Sequence, residues 1–307
     1  AMYETCCIAL LESNDLIHWE MKPPCCKPDR FVCFEVPDVF ELNGRWYMTA
    51  LTGDGYGQRR RWKDPYIHSA TIVFESDSPR GPFIEVKDDF LLASGNNQGY
   101  SCRTIEKNGE RLMFFTKSEW LNGKPNPGRV SWPVKLVPRD TRGLNPVFWD
   151  GVDGEFDTSG NIEPVNQTCK NGWIMHKIYE IIDNSQSLMI TAEINVADSS
   201  GAGIAISESK PGVQNPGILA LLDPVYGEVS LLKMPGFMPI QQRIWDIKPN
   251  HKYSIRFIAV ENMLELYIDD ILVLNTFTEE MPFKQVNCYI QEGSPEFNLL
   301  KIRPGKV

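Results

Sequence analysis

The chain has no surplus of basic residues, no apolar run long enough to span a bilayer, no C-x-x-C pair and, up to about residue 150, no convincing helical period. Each lack removes a class of reading. A net charge of −9 leaves no electrostatic footprint for nucleic acid. Without a run of about twenty apolar residues, no membrane-spanning helix is expected. Eight cysteines and four scattered histidines stand in no ligand spacing, so the sequence implies no metal and no cofactor. No signal peptide is seen at the amino end, where Ala1-Met2 reads as a cloning remnant; reduced cysteines and a cytoplasmic location are the expectation. The sequon Asn166-Gln167-Thr168 would then carry no glycan.

What is present is a succession of short strands joined by turn chemistry. The stretch Phe34 to Met48 places a carboxylate, Glu35, before a rigid Pro37, then an alternating strand, Asn43-Gly44 and a second aromatic-rich strand. Asn-Gly between two such runs predicts a type I′ hairpin, because both central residues need positive φ. Glu35 therefore stands at the mouth of a strand, outside the hairpin. The segment Glu41 to Met48 recurs as Glu106 to Met113 at an offset of 65 residues, and Glu12-Ser13-Asn14-Asp15 recurs as Glu75-Ser76-Asp77-Ser78 at 63. Two pairs with nearly one period indicate a structural repeat of the size of a four-stranded propeller blade with enlarged loops.

In chain order, Cys6 to Glu12 and Ile17 to Met21 read as a strand pair, the outer half of one blade. A whole blade follows in Asp38 to Leu42, Trp46 to Leu51, Ser69 to Glu75 and Phe83 to Val86. Another comprises Ser101 to Ile105, Arg111 to Thr116, Arg129 to Val137 and Pro146 to Trp149. Blade topology would put Glu35 and the loops Thr52 to His68, Lys87 to Tyr100 and Lys117 to Gly128 around one opening, with the tight turns at the other end. Those loops carry Asp54, Tyr56, Arg59-Arg60-Arg61, Trp62, His68, Glu119 and Trp120. Stacking on a ligand and ordinary loop packing are both open for Trp62, His68 and Trp120. The arginine run is either solvated or a site for a carboxylate or phosphate. His18 and Trp19 are expected to pack within their blade.

From about Gly160 the chain alternates apolar and polar residues over many strand-length segments, among them Ser187 to Val196, Gly203 to Ser209, Tyr253 to Val260 and Phe297 to Ile302. Such a series, without helical runs, predicts a β-sandwich. The fold expected is all-β: a partial propeller over 1–150, a Gly- and Asp-rich linker over 151–159, and a jelly-roll or concanavalin-like sandwich over 160–307. Trp173, Tyr226 and Trp245 would form an aromatic binding platform on that sandwich, or the sandwich only buttresses the propeller.

Three motifs in order, Asn14-Asp15-Leu16-Ile17-His18-Trp19-Glu20, Glu35-Val36-Pro37-Asp38 and Tyr100-Ser101-Cys102-Arg103-Thr104, resemble those of glycoside hydrolase family 32, the invertase, levanase and inulinase group. That family combines a five-bladed propeller with a β-sandwich. The resemblance covers residues 5 to about 140 and implies that Glu35 is the general acid/base of a β-fructofuranosidase-type site. It places Tyr100 and Arg103 against the sugar ring or the carboxylates, with Asp38 beside them at the sugar; Trp62, His68 and Trp120, on the mouth loops, would then stack on sugar faces or pack within the loops.

Two features depart from the family pattern. Val36 stands where the family usually has Cys. The W-x-N-D-P-like motif that carries the nucleophilic Asp and the R-D-P motif both precede the acid/base Glu in the family, and neither occurs upstream of Glu35. Lys63-Asp64-Pro65 and Arg139-Asp140 follow it, in the wrong blades. The resemblance therefore implies a chain that begins inside the third blade. Retaining chemistry needs two carboxyl groups about 5–5.5 Å apart. Activity would thus require a complementing chain or a second copy covering the open propeller, or is lost. Two other readings stay open: a non-catalytic carbohydrate-binding or assembly module, and a related propeller enzyme acting on arabinose or xylose units.

Overall fold

The computed structural model describes residues 6–28, 33–53, 66, 69–94, 98–121, 124–158, 160, 162–181, 187–208, 216–278 and 283–306; within them, the side chains of 53, 69, 87–90, 93–94, 98–101, 117–121, 124–129 and 277 are not described. The chain divides into two compact units, residues 1–147 and 148–307. Apart from one 3-10 turn, the described elements are strands, which bears out the all-β expectation of propeller sheets followed by a β-sandwich.

The first unit opens with a two-stranded antiparallel sheet of β1 (Ile8–Glu12) and β2 (Glu20–Cys26). A four-stranded meander follows: β3 (Glu35–Leu42), β4 (Arg45–Gly53), β5 (Ser69–Ser76) and β6 (Ile84–Ser94), hydrogen-bonded in chain order. The next sheet contains β7 (Gln98–Lys107), β8 (Glu110–Leu121), β10 (Val134–Pro138) and β11 (Leu144–Phe148), with β9 (Lys124–Val130) on the far end of β8. Both Asn-Gly turns have the predicted conformation, with φ of +54° and +77° at Asn43-Gly44 and +54° and +79° at Asn108-Gly109.

The sheets stack face to face because β5 is buried on both sides. Ala70, Ile72 and Phe74 share a core with Met48, Ala50, Phe83, Cys25 and Cys26, and Cys6, Ile8 and Leu10 of the first sheet pack against it. The alternate residues Thr71 and Glu75 turn the other way. Thr71 Oγ1 lies 3.3 Å from Cys102 Sγ on β7, and the Glu75 carboxylate accepts the Gly143 N–H at 2.6 Å and Arg142 Nε at 2.7 Å. A strand buried on both faces reads as a near-continuous apolar run, as Ala70 to Phe74 does but for Thr71.

Three expectations for this unit are corrected. The stretch Lys87 to Tyr100, read as a loop, is largely the end of β6 and the start of β7. Lys117 to Gly128, also read as a loop, is largely a strand hairpin in which Leu121 pairs with Lys124. Ladder hydrogen bonding, not loop chemistry, governs both. The single strand expected over Arg129 to Val137 is two, β9 and β10, broken at Ser131-Trp132-Pro133, where Pro133 has no N–H to give a ladder.

The second unit is a sandwich of two antiparallel six-stranded sheets. One has the order β12 (Val165–Asn166), β23 (Glu296–Pro304), β14 (Ser187–Asn195), β19 (Lys252–Val260), β20 (Met263–Ile268), β21 (Ile271–Phe277). The other is β13 (Cys169–Glu180), β22 (Gln285–Gly293), β15 (Gly201–Ser207), β16 (Gly217–Asp223), β17 (Glu228–Met234), β18 (Met238–Ile244). Their facing side chains, including Ile190, Phe257, Leu266, Ile204, Val229 and Ile290, form the core. The Gly- and Asp-rich stretch preceding it is a 3-10 turn, Asp150–Glu155, held by Arg303, whose Nη1 meets Asp153 Oδ1 at 2.6 Å and whose Nε donates to the Asp157 carbonyl at 2.9 Å.

Trp173, Tyr226 and Trp245 do not make one platform. Trp173 stacks on Tyr289 at 5.9 Å in a cluster with Leu219 and Leu221, whereas Trp245 packs against the inter-sheet core. Tyr226 is 76% exposed in the β16–β17 turn.

Candidate active site

The site is built on β3 and β7, the first strands of the two larger blade sheets. Glu35 pairs with Leu51 on β4 and Asp38 pairs with Thr49, so three steps along β3 match two along β4. One residue is extra, a β-bulge. In a regular strand, residues three apart point to opposite faces; with the extra residue, Glu35 and Asp38 share the face of Leu51 and Thr49. The bulge is made at Val36, whose φ is +48°. The same three-against-two count recurs on β7, where Tyr100 pairs with Thr116 and Arg103 with Phe114.

Hydrogen bonds join the two irregular segments. Arg103 Nη1 donates to the carbonyls of Val36 at 3.0 Å and Cys102 at 2.7 Å. The Thr104 N–H donates to Asp38 Oδ2 at 2.9 Å, and farther along Arg111 Nη2 donates to the Glu41 carbonyl at 3.1 Å. Before the bulge, Thr52 Oγ1 donates to the Cys33 carbonyl at 3.0 Å, and the Phe34 ring meets Phe74 edge-on at 5.6 Å. Glu35 and Asp38 are half-buried and Arg103 is exposed. The bulge thus sets two carboxylates on one side of β3, partly withdrawn from water, with a guanidinium beside their backbone.

The surrounding thiols register this environment. Burial and then the neighbouring Glu35 carboxylate push the Cys33 thiol up. Burial lifts Cys102 to about 12 against its hydrogen bond with Thr71, and the nearby Asp38 charge adds to the rise. Neither is poised as a nucleophile.

Of the residues expected at the sugar, Glu35, Asp38 and Arg103 are brought together. Tyr100 lies on β7 with its side chain outside the described residues, as does that of Trp120 on β8. Asp54, Tyr56, Arg59, Arg60, Arg61, Trp62 and His68 lie outside the described residues altogether. The expectation that His18 and Trp19 pack within their blade is corrected: they are 86% (side chain) and 54% exposed at the β1–β2 turn. Asp15 organises that turn, accepting the Ile17 and His18 N–H groups and His18 Nδ1, and its carboxyl is held well below the usual range, first by the His18 side chain. Thr104, whose backbone fixes Asp38, carries no sequence signal for that role. Val36 is still harder to anticipate, since a β-branched residue is among the least suited to positive φ. Among the described residues no group of His, Cys, Asp or Glu could hold a metal ion.

No family model and no curated protein matches the chain. Solved structures do match in fold. A family 32 β-fructofuranosidase of Bombyx mori aligns over 97% of this chain and 60% of its own, with a TM-score of 0.68 and 18% identity. Sucrose-6-phosphate hydrolase of Lactobacillus gasseri aligns over 98% and 60%, with a TM-score of 0.69 and 10% identity. Exo-inulinase of Aspergillus awamori aligns over 97% and 62%, with a TM-score of 0.68 and 11% identity. The chain spans about 60% of the length of the first two. The resemblance noted in the sequence is borne out at the level of fold.

Proposed function

We propose that this chain is a glycoside hydrolase-like protein of the β-fructofuranosidase type, with Glu35 as general acid/base and a fructoside or related oligosaccharide as its ligand. One observation carries the reading: the Glu35-Val36-Pro37-Asp38 and Arg103-Thr104 motif segments meet between the first strands of two different sheets, each strand carrying a register shift there. Bulges beside active sites re-aim side chains, and here the shift turns Glu35 to the face of Asp38.

In this reading Glu35 protonates the glycosidic oxygen as the bond breaks and later accepts a proton from the attacking water. Positioned proton transfer of this kind supplies about 10²–10⁴ in rate. The other half of retaining chemistry is a carboxylate nucleophile about 5–5.5 Å away. Asp38 is engaged by the Thr104 N–H, and the family's two Asp motifs are absent from the residues preceding Glu35. In this reading turnover needs an aspartate beyond the motifs present in this sequence, on a preceding segment of the same polypeptide, a complementing polypeptide or a second copy. The test is hydrolysis of sucrose, levan and inulin by the chain alone and by the chain with the product of the adjacent upstream reading frame. Hydrolysis only in the mixture is expected; none in either rejects the catalytic reading.

The engagement of Asp38 by the Thr104 N–H favours a second reading, a non-catalytic carbohydrate-binding module. Binding of the same oligosaccharides without turnover, unchanged in Glu35→Gln, would select it.

A further inference from the structure

We infer that Arg103 is a positioning residue: its Nη1 group, shared between the Val36 and Cys102 carbonyls, holds Val36 in a left-handed conformation and so decides where Glu35 points. A β-branched side chain at φ +48° is strained, and such strain persists only where the surroundings over-determine it. The surroundings here do so at four places. Cys33 is pinned through its carbonyl by Thr52, Phe34 by the edge of Phe74, Val36 through its carbonyl by Arg103, and Asp38 through its carboxylate by the Thr104 N–H. Glu35 sits between the second and third pins. Pro37, with φ fixed near −65°, cannot absorb a change at Val36.

The four pins are not equivalent. Thr52 and Phe74 belong to the sheet of β3 itself, whereas Arg103 and Thr104 come from β7. Arg103 alone acts on the strained residue. Without its donor, Val36 would relax toward extended backbone, the extra residue would leave the ladder elsewhere, and Glu35 and Asp38 would no longer share a face. The sequence-level role for Arg103, contact with the sugar or with the carboxylates, is thereby joined by one on the backbone. Its importance for turnover rests on the acid/base reading of Glu35; its structural content does not.

The test exploits glycine, which adopts positive φ without help. Amide hydrogen exchange at Thr104 reports whether Asp38 still faces β7, and the ¹³C carboxyl shift of Glu35 reports its surroundings; neither requires turnover. Arg103→Met is expected to speed Thr104 exchange about tenfold or more and to move the Glu35 signal. Adding Val36→Gly to Arg103→Met is expected to restore both toward native values, since the bulge then forms unaided. Arg103→Lys, which keeps an N–H donor on a stem of similar length, is expected to lie closer to native than Arg103→Met and serves if the latter does not fold. Unchanged exchange in Arg103→Met, or no rescue by Val36→Gly, overturns the inference. The predicted exchange pattern in a chain that never hydrolyses a fructoside would refute the glycosidase reading and leave this one standing.

Discussion

Glu35 and Asp38 are three residues apart on β3 yet share one face of the sheet, because their ladder partners Leu51 and Thr49 are only two apart. The consequences reach both stability and chemistry.

Asp38 tethers the two inner strands directly, through its 2.9 Å bond from the Thr104 N–H. Asp38→Ala should lower unfolding free energy by about 1.5–3 kcal/mol, the range for a hydrogen bond to a charged acceptor. Asp38→Asn keeps an oxygen acceptor and should cost less than half as much. Urea denaturation of the variants checks the difference.

Glu75 should make stability fall in acid. Burial alone would raise its carboxyl, but the Arg142 hydrogen bond, the Gly143 N–H and the charges of Arg142 and Arg45 outweigh it and leave the group below its usual value. A depressed folded pKa contributes stability that is complete above the unfolded value, about 4.3, and disappears as pH falls through the folded one. Glu75→Gln should therefore cost about 1.5–3 kcal/mol at pH 7, with both arginines half-exposed and able to hydrate, and progressively less below about pH 4. A pH-independent difference between the two proteins would contradict this.

Gly81 and Gly44 both have positive φ, at +82° and +77°, but differ in surroundings. A Cβ on Gly81 would lie 2.5 Å from the Cys25 carbonyl oxygen, while one on Gly44 meets nothing within 4 Å. Gly44→Ala should cost about 1 kcal/mol from backbone conformation alone, and Gly81→Ala more than about 2 kcal/mol, because the turn must also retreat from β2. Thermal midpoints measured side by side would show whether the two sheets meet at this point.

Much of this architecture is legible in the sequence, and what escapes it has identifiable causes. The Asn-Gly turns, the largely apolar run of β5 and most sandwich strands announce themselves by turn chemistry, hydrophobic run or alternation. Strands β13 and β18 do not, and they are the two edges of their sheet. Edge strands bury little: β13 has one buried residue in twelve and is interrupted by a register shift between Cys169 and Trp173. At the site, the motifs locate Glu35, Asp38 and Arg103, but not the bulge that gives the first two a common face. That depends on Val36 taking a conformation its own side chain disfavours, imposed by Arg103 from 67 residues away in sequence.

The most direct measurement is fructoside hydrolysis by the complemented protein with native Glu35 and with Glu35→Gln. Native protein should release fructose, and the variant should be slower by about 10²–10⁴ while binding the sugar as before. Equal rates from the two proteins, or no release from either under any complementation, would contradict the assignment of Glu35 as the proton donor.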